Sequence, residues 1–89
     1  HLLDAQGNLV TQADGPPQNG RYPTTIMEPG DQILDAHLFT LPEGLPDGEY
    51  QILMGIYQPE TGVRLPAINI NNERFSNDAV PLHKLIITP

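Results

Sequence analysis

Proline and glycine interrupt this chain so often that a long helix is excluded before any other property is weighed. Ten prolines and eight glycines are spread over 89 residues. No window of about eleven or more residues keeps helical apolar spacing throughout without meeting one of them. Residues 31–41 come nearest, but their β-branched and aromatic side chains, set between Pro29-Gly30 and Pro42, favour a strand over 32–41. A hydrophobic content of 38% is too high for a disordered chain. Proline and glycine here act as punctuation, the composition of short strands joined by tight turns.

The turn residues divide the chain. Ala5-Gln6-Gly7, between His1-Leu2-Leu3-Asp4 and the strand of residues 8–14, with Asp4 at its start, suits a type I turn closed by a glycine bulge, hence a β-hairpin. Residues 15–20, with Pro16-Pro17 at their centre, form a loop, and residues 21–27 return as a short extended segment. Glu28-Pro29-Gly30-Asp31 suits a type II turn. Residues 49–58 alternate with period two, placing Tyr50, Ile52, Met54 and Ile56 on one face of a central strand. Pro59-Glu60-Thr61-Gly62 turns the chain into Val63-Arg64-Leu65-Pro66, a second hairpin. Residues 69–78 read as a polar loop, and residues 80–88 as a final strand. Tyr50, just after Leu45-Pro46-Asp47-Gly48, stands where a tyrosine corner would bond back to upstream backbone.

Six or seven short strands at this spacing predict an all-β fold, an antiparallel sandwich of immunoglobulin-like or fibronectin-like type. The first strand is short and starts at His1, so the expectation is one domain over residues 1–89, a fragment of a larger protein and lacking its first strand or strands. A chain of this size buries only about 60–65% of the surface that its unfolded form exposes, so modest stability is expected.

Charge narrows the partners. Eleven Asp and Glu against four Lys and Arg give a net charge of −7, which repels phosphate backbones and argues against nucleic acid or anionic lipid. There is no cysteine, so disulfides and thiolate zinc sites are excluded. The longest apolar runs, such as Leu85-Ile86-Ile87, fall far short of the roughly 20 residues that span a bilayer.

Catalytic chemistry finds little support. The one serine, Ser76, lies in Asn-rich sequence without a nucleophile elbow, and the one lysine, Lys84, sits in the final strand. His1, His37 and His83 fall on separate predicted strands, without the paired spacing that pins two metal ligands together. The carboxylates are the more serious candidates: Asp31 with Asp35, or Glu43, Asp47 and Glu49, could gather oxygens for calcium. The alternation of a calcium loop is absent, however, and turn chemistry accounts for Asp4, Asp14, Asp31 and Asp47. No catalytic, metal or cofactor site is assigned. Tyr22 and Tyr57 are the candidate ligand contacts, as sugar-facing rings of a carbohydrate-binding surface, with only five aromatic residues in the whole chain to build one.

Several segments, in order, carry a resemblance. Leu3-Asp4-Ala5-Gln6-Gly7-Asn8-Leu9-Val10, Asp14-Gly15-Pro16-Pro17, Tyr22-Pro23-Thr24-Thr25 and Glu28-Pro29-Gly30-Asp31 are followed by Leu45-Pro46-Asp47-Gly48-Glu49-Tyr50 and by residues 55–66. Together they resemble the C-terminal, extracytoplasmic β-sandwich domain of bacterial multi-spanning membrane proteins of the glycosyltransferase-like, protein-mannosyltransferase-like type. Met27 departs from the tryptophan of many such domains. The resemblance implies a non-catalytic accessory role, with other domains of the parent protein as partners, a membrane contacted only through that parent, and catalytic residues outside this chain. A carbohydrate-binding module, with a glycan as partner, and a calcium-dependent adhesion module are the alternative readings.

Overall fold

A computed structural model describes residues 1–88. Four strands, β1 (Leu2–Leu3), β2 (Leu9–Thr11), β3 (Gly48–Met54) and β4 (Val80–Ile87), form one antiparallel sheet in the order β2-β1-β3-β4. The other regular elements are three short 3₁₀ turns, Pro17–Gly20, Thr24–Ile26 and Ser76–Asp78. The fold is all-β in character.

Local chemistry explains the first hairpin. Asp4 donates its backbone N–H to Asn8 O at 2.9 Å and accepts from Gly7 N at 3.0 Å. Its carboxylate takes the N–H groups of Gln6 and Asn8. Gly7 completes the turn at φ +85°, a left-handed conformation that disfavours any side chain. The register then pairs Leu2 with Thr11 and Leu3 with Leu9, so Val10 is the extra residue of a bulge. His1 extends β1, exchanging two backbone bonds of 2.9 Å with Leu53.

β3 holds the sheet together because it pairs on both sides. Leu2 lies opposite Ile52 on one side, and Tyr50 opposite Leu85 on the other. In β4 the ladder passes from His83 to Pro81 and leaves Leu82 unpaired. Proline has no N–H to give a ladder, and a bulge is where a strand tolerates it.

This register places Tyr50, Ile52 and Met54 on one side of the sheet, as the alternation predicts, together with Leu2 and Leu85. They are unequally covered. Leu2 and Tyr50 are 1% and 5% exposed, Ile52 is half-buried, and Met54 and Ile56 are exposed. Tyr50 forms the expected corner, its hydroxyl donating to Pro46 O at 2.6 Å.

Three expectations need correction. Residues 32–41 do not form a strand: the segment makes no ladder, and Leu34 and Leu38 stand 90% and 93% exposed. Strand propensity is realised only when a neighbour offers a ladder, and here the neighbouring loop offers side chains instead. Residues 21–27 contain the 3₁₀ turn Thr24–Ile26 rather than an extended return. The central strand ends at Met54, four residues before Gln58, and beyond it Tyr57 and Arg64 make only an isolated bridge. The expected six or seven strands therefore reduce to four, plus isolated bridges at Tyr57–Arg64 and Ile68–Arg74.

The remaining turns hold. Asp31 N donates to Glu28 O at 3.0 Å, with Gly30 at φ +90°, as a type II turn requires. The second hairpin closes through Gln58 N to Val63 O at 3.0 Å and Leu65 N to Ile56 O at 2.7 Å. Within the segment read as polar loop, Asn69 organises a further tight turn, its side-chain oxygen accepting from Asn71 N and Glu73 N.

Candidate functional site

Polar side chains gather where the loop of residues 13–22 meets the segment 31–37. Asp14 stands at one end. Its carboxylate accepts the Tyr57 hydroxyl at 2.9 Å and lies 3.2 Å from His1 Nε2. Thus β1, the second hairpin and the loop after β2 converge on one acid. The bond to Asp14 holds the Tyr57 phenol above its ordinary pKa, because ionising it would place two negative charges together.

Asp35 stands at the other end. One of its oxygens accepts Gln18 N at 2.7 Å, and the other lies 2.7 Å from His37 Nε2. The Gln18 amide bond and then the His37 bond keep this carboxyl below the usual range. Gln18 also reaches Leu34 O through its side-chain amide at 2.9 Å. These bonds hold Gln18 and Asn19 in left-handed backbone, at φ 50° and 55°, which non-glycine residues seldom adopt. A shallow cleft of about 290 Å³ opens here, lined by Gln18, Asn19, Arg21, Leu34, Asp35 and Ala36.

The two candidate contact tyrosines are fixed by different acids. Tyr57 is bonded to Asp14, whereas the Tyr22 hydroxyl donates to Asp31 at 2.5 Å. Asp31 also accepts Glu28 N at 2.9 Å, so one carboxylate caps the type II turn and orients the Tyr22 ring. The Tyr22 bond is the main reason that the Asp31 carboxyl falls below its ordinary pKa. Tyr57 is 41% exposed and Tyr22 half-buried, so Tyr57 offers the more open ring.

A second polar cluster lies at the end of the sheet where β3 stops at Met54 and β4 begins at Val80, the end that also carries His1. Arg74 donates two bonds of 2.7 Å to the Asp78 carboxylate, which also accepts Ala67 N at 3.1 Å. The guanidinium pulls the Asp78 carboxyl down to about 2. Arg64 reaches Asn77 O at 3.0 Å and passes over Gly55, where a Cβ would stand 3.1 Å from Asp78 O.

Asp31 and Asp35, paired as possible calcium ligands, are engaged by separate partners. Among the described residues no three His, Asp or Glu side chains converge as metal ligands. His37 lies outside any strand, unlike its sequence reading, and is the site residue that reading undervalued. Its signal was the Asp35-x-His37 spacing, which in extended chain puts both side chains on one side. No helix among the described residues is long and apolar enough to cross a membrane.

Comparison with protein-family models, with curated proteins and with solved structures finds no match to this chain. Sheet, turns and polar clusters together define an all-β protein built around one four-stranded antiparallel sheet.

Proposed function

We propose that this chain is a non-catalytic accessory domain that docks against other domains of a larger, membrane-bound glycosyltransferase-like protein, on the extracytoplasmic side. The observation that carries the reading is the uncovered apolar surface of the sheet. Apolar side chains stand open on both faces: Leu9 and Ile86, on the face opposite Tyr50, are 52% and 55% exposed, and Met54, on the Tyr50 side, is 49% exposed, while the buried apolar residues among those described are Leu2, Tyr50 and Ala79. Apolar surface left open along a sheet is surface for association, since removing it from water is favourable. A covering body supplied by the parent would make this sheet one layer of an immunoglobulin-like or fibronectin-like sandwich. The Tyr50–Pro46 bond, a device of such sandwiches, supports that architecture. The glycosyltransferase-like parent rests on the resemblance of the turn and core segments.

In this role the domain positions and does not react. The loop of residues 15–23 and the turn-rich segment 69–78 are its contact surfaces, since loops on a rigid scaffold carry recognition. The test is the parent gene and its deletion variant. Membrane-spanning segments are expected in the encoded protein, and removing the domain should reduce acceptor use while the membrane portion still folds. A parent with no membrane-spanning segment overturns the proposal.

One observation favours a carbohydrate-binding module as the second reading. Tyr57 presents an exposed ring whose hydroxyl is already anchored by Asp14, a preoriented surface for a sugar face. Glycan-array binding by the isolated chain, lost in Tyr57→Ala, would favour this reading over the first.

A further inference from the structure

We propose that His37 is a proton-operated latch: its doubly protonated imidazole fastens the segment 31–41 to the loop of residues 13–20, and loss of one proton loosens it. Both ring nitrogens face oxygens. Nδ1 lies 2.6 Å from Ala13 O and Nε2 lies 2.7 Å from Asp35 Oδ2. A backbone carbonyl only accepts, and so does an ionised carboxylate. A neutral imidazole carries one N–H, so it satisfies one of these oxygens and turns a lone pair toward the other. Only the imidazolium donates to both.

The held segment has little else to keep it in place. It joins no ladder, and outside its own turn it is tied down by side-chain bonds. These are His37 Nδ1 to Ala13 O, Gln18 N to Asp35 at 2.7 Å, Gln18 Nε2 to Leu34 O at 2.9 Å, and Tyr22 to Asp31, while the His37–Asp35 bond lies within the segment and fixes the acid that Gln18 uses. Asp35 is shared, with one oxygen on His37 and the other on the left-handed Gln18. Loss of the His37 bond therefore loosens the acid that keeps Gln18 and Asn19 in a disfavoured conformation.

The charges acting on His37 come from Asp35 on its own segment and Asp14 on the facing loop, both negative. Gly15 abuts the ring, with its Cβ position 3.9 Å from Cε1. On its far side Asp14 meets His1 and Tyr57. The Asp35 bond first, and then the Ala13 bond, raise the His37 pKa above its ordinary 6.5. The sign follows. The latch's stabilising contribution is fully present below about pH 6.5, the unperturbed histidine value, and is lost as pH rises through the elevated folded value. Leu34, Asp35 and Ala36 also line the cleft beside Gln18, so opening the latch dismantles one of its walls. None of this depends on what the domain docks against.

The test is a pH titration of the labelled chain by NMR, following the imidazole nitrogens of His37 and the exchange protection of the Gln18 amide, corrected for intrinsic exchange. At low pH both His37 nitrogens should carry protons. The midpoint should lie above that of the same histidine in Asp35→Asn, and Gln18 protection should drop at least about tenfold across the transition, a 1.4 kcal/mol change in opening. His37→Gln, with one N–H-bearing group, should leave Gln18 protection low and flat with pH while the far-UV spectrum of the sheet is retained. A His37 midpoint unmoved by Asp35→Asn would overturn the latch. So would Gln18 protection that stays constant through the titration.

Discussion

Removing a single oxygen from Tyr50 separates the corner bond from the packing around it. Tyr50→Phe keeps the ring, which is 5% exposed on the inner side of β3, and deletes only the hydroxyl that donates to Pro46 O at 2.6 Å. A typical intramolecular hydrogen bond contributes about 0.5–1.5 kcal/mol net, and stranding a buried partner adds to the loss. Pro46 is exposed, so water can reach its carbonyl in the variant, and the added term is small. The expected destabilisation is therefore about 1 kcal/mol. In a domain of this size that lowers the melting temperature by roughly 4–8 °C. With a urea slope of about 1–2 kcal/mol per M, the midpoint falls by roughly 0.5–1 M at unchanged slope. Tyr57→Phe is the control, since it deletes an exposed hydroxyl bonded to Asp14 and should stay within about 0.5 kcal/mol of the parent chain. Urea melts followed by far-UV circular dichroism would measure both. A Tyr50→Phe variant as stable as Tyr57→Phe would refute the corner as a stabilising element.

Three other outcomes follow from the same structure. Ile52→Ala should cost about 1–2.5 kcal/mol, half the roughly 2–5 of a fully buried site, because Ile52 is half-buried; a loss below about 0.5 would mean that the side chain does not face Leu2. Asp78, held at about 2 by Arg74, stabilises the fold above its ordinary 3.8, and that contribution is lost as pH falls through about 2. Asp78→Asn, which suits the backbone at φ 52°, should flatten the dependence of urea stability on pH between about 4 and 2, and an unchanged slope would count against the pair. Millimolar calcium should move the melting temperature by less than about 1 °C, because a specific site would stabilise the native state by linkage; a saturable rise absent with magnesium would reveal a site.

The parts of this fold legible in the sequence are those decided within a few residues. Asp4 with Gly7, Pro29 with Gly30 and Gly62 after Thr61 each specify a turn through their own backbone preferences, and each turn forms. The alternation around Tyr50 and Ile52 fixes a face because period two leaves no other arrangement. What escaped needs partners remote in the chain. Residues 32–41 have strand-like side chains, but Gln18, 17 residues before Asp35, takes the acceptors of this segment with its amides. Likewise Tyr57 and Asp14 are 43 residues apart, and no spacing rule joins them. Tyr22 and Tyr57 could be singled out as aromatic residues, but not the acids that orient them.

The central position of β3 also governs the order in which the molecule can form. One neighbour, β1, precedes it across residues 4–47, and the other, β4, follows across residues 55–79. Neither side of β3 is joined to it by a tight hairpin, so both pairings must close long loops before the ladder returns any free energy. Chains dominated by such distant pairings fold in about milliseconds to seconds, far slower than helical bundles. Until β4 docks, the N–H and C=O groups along that edge of β3 stand open, a template for any other extended chain nearby. During ribosomal synthesis the wait is longer still: elongation at about 5–20 residues per second puts a second or more between the emergence of Met54 and that of Val80. For that interval β3 is half an unfinished sheet, and its pairing depends on β4 arriving before another strand does.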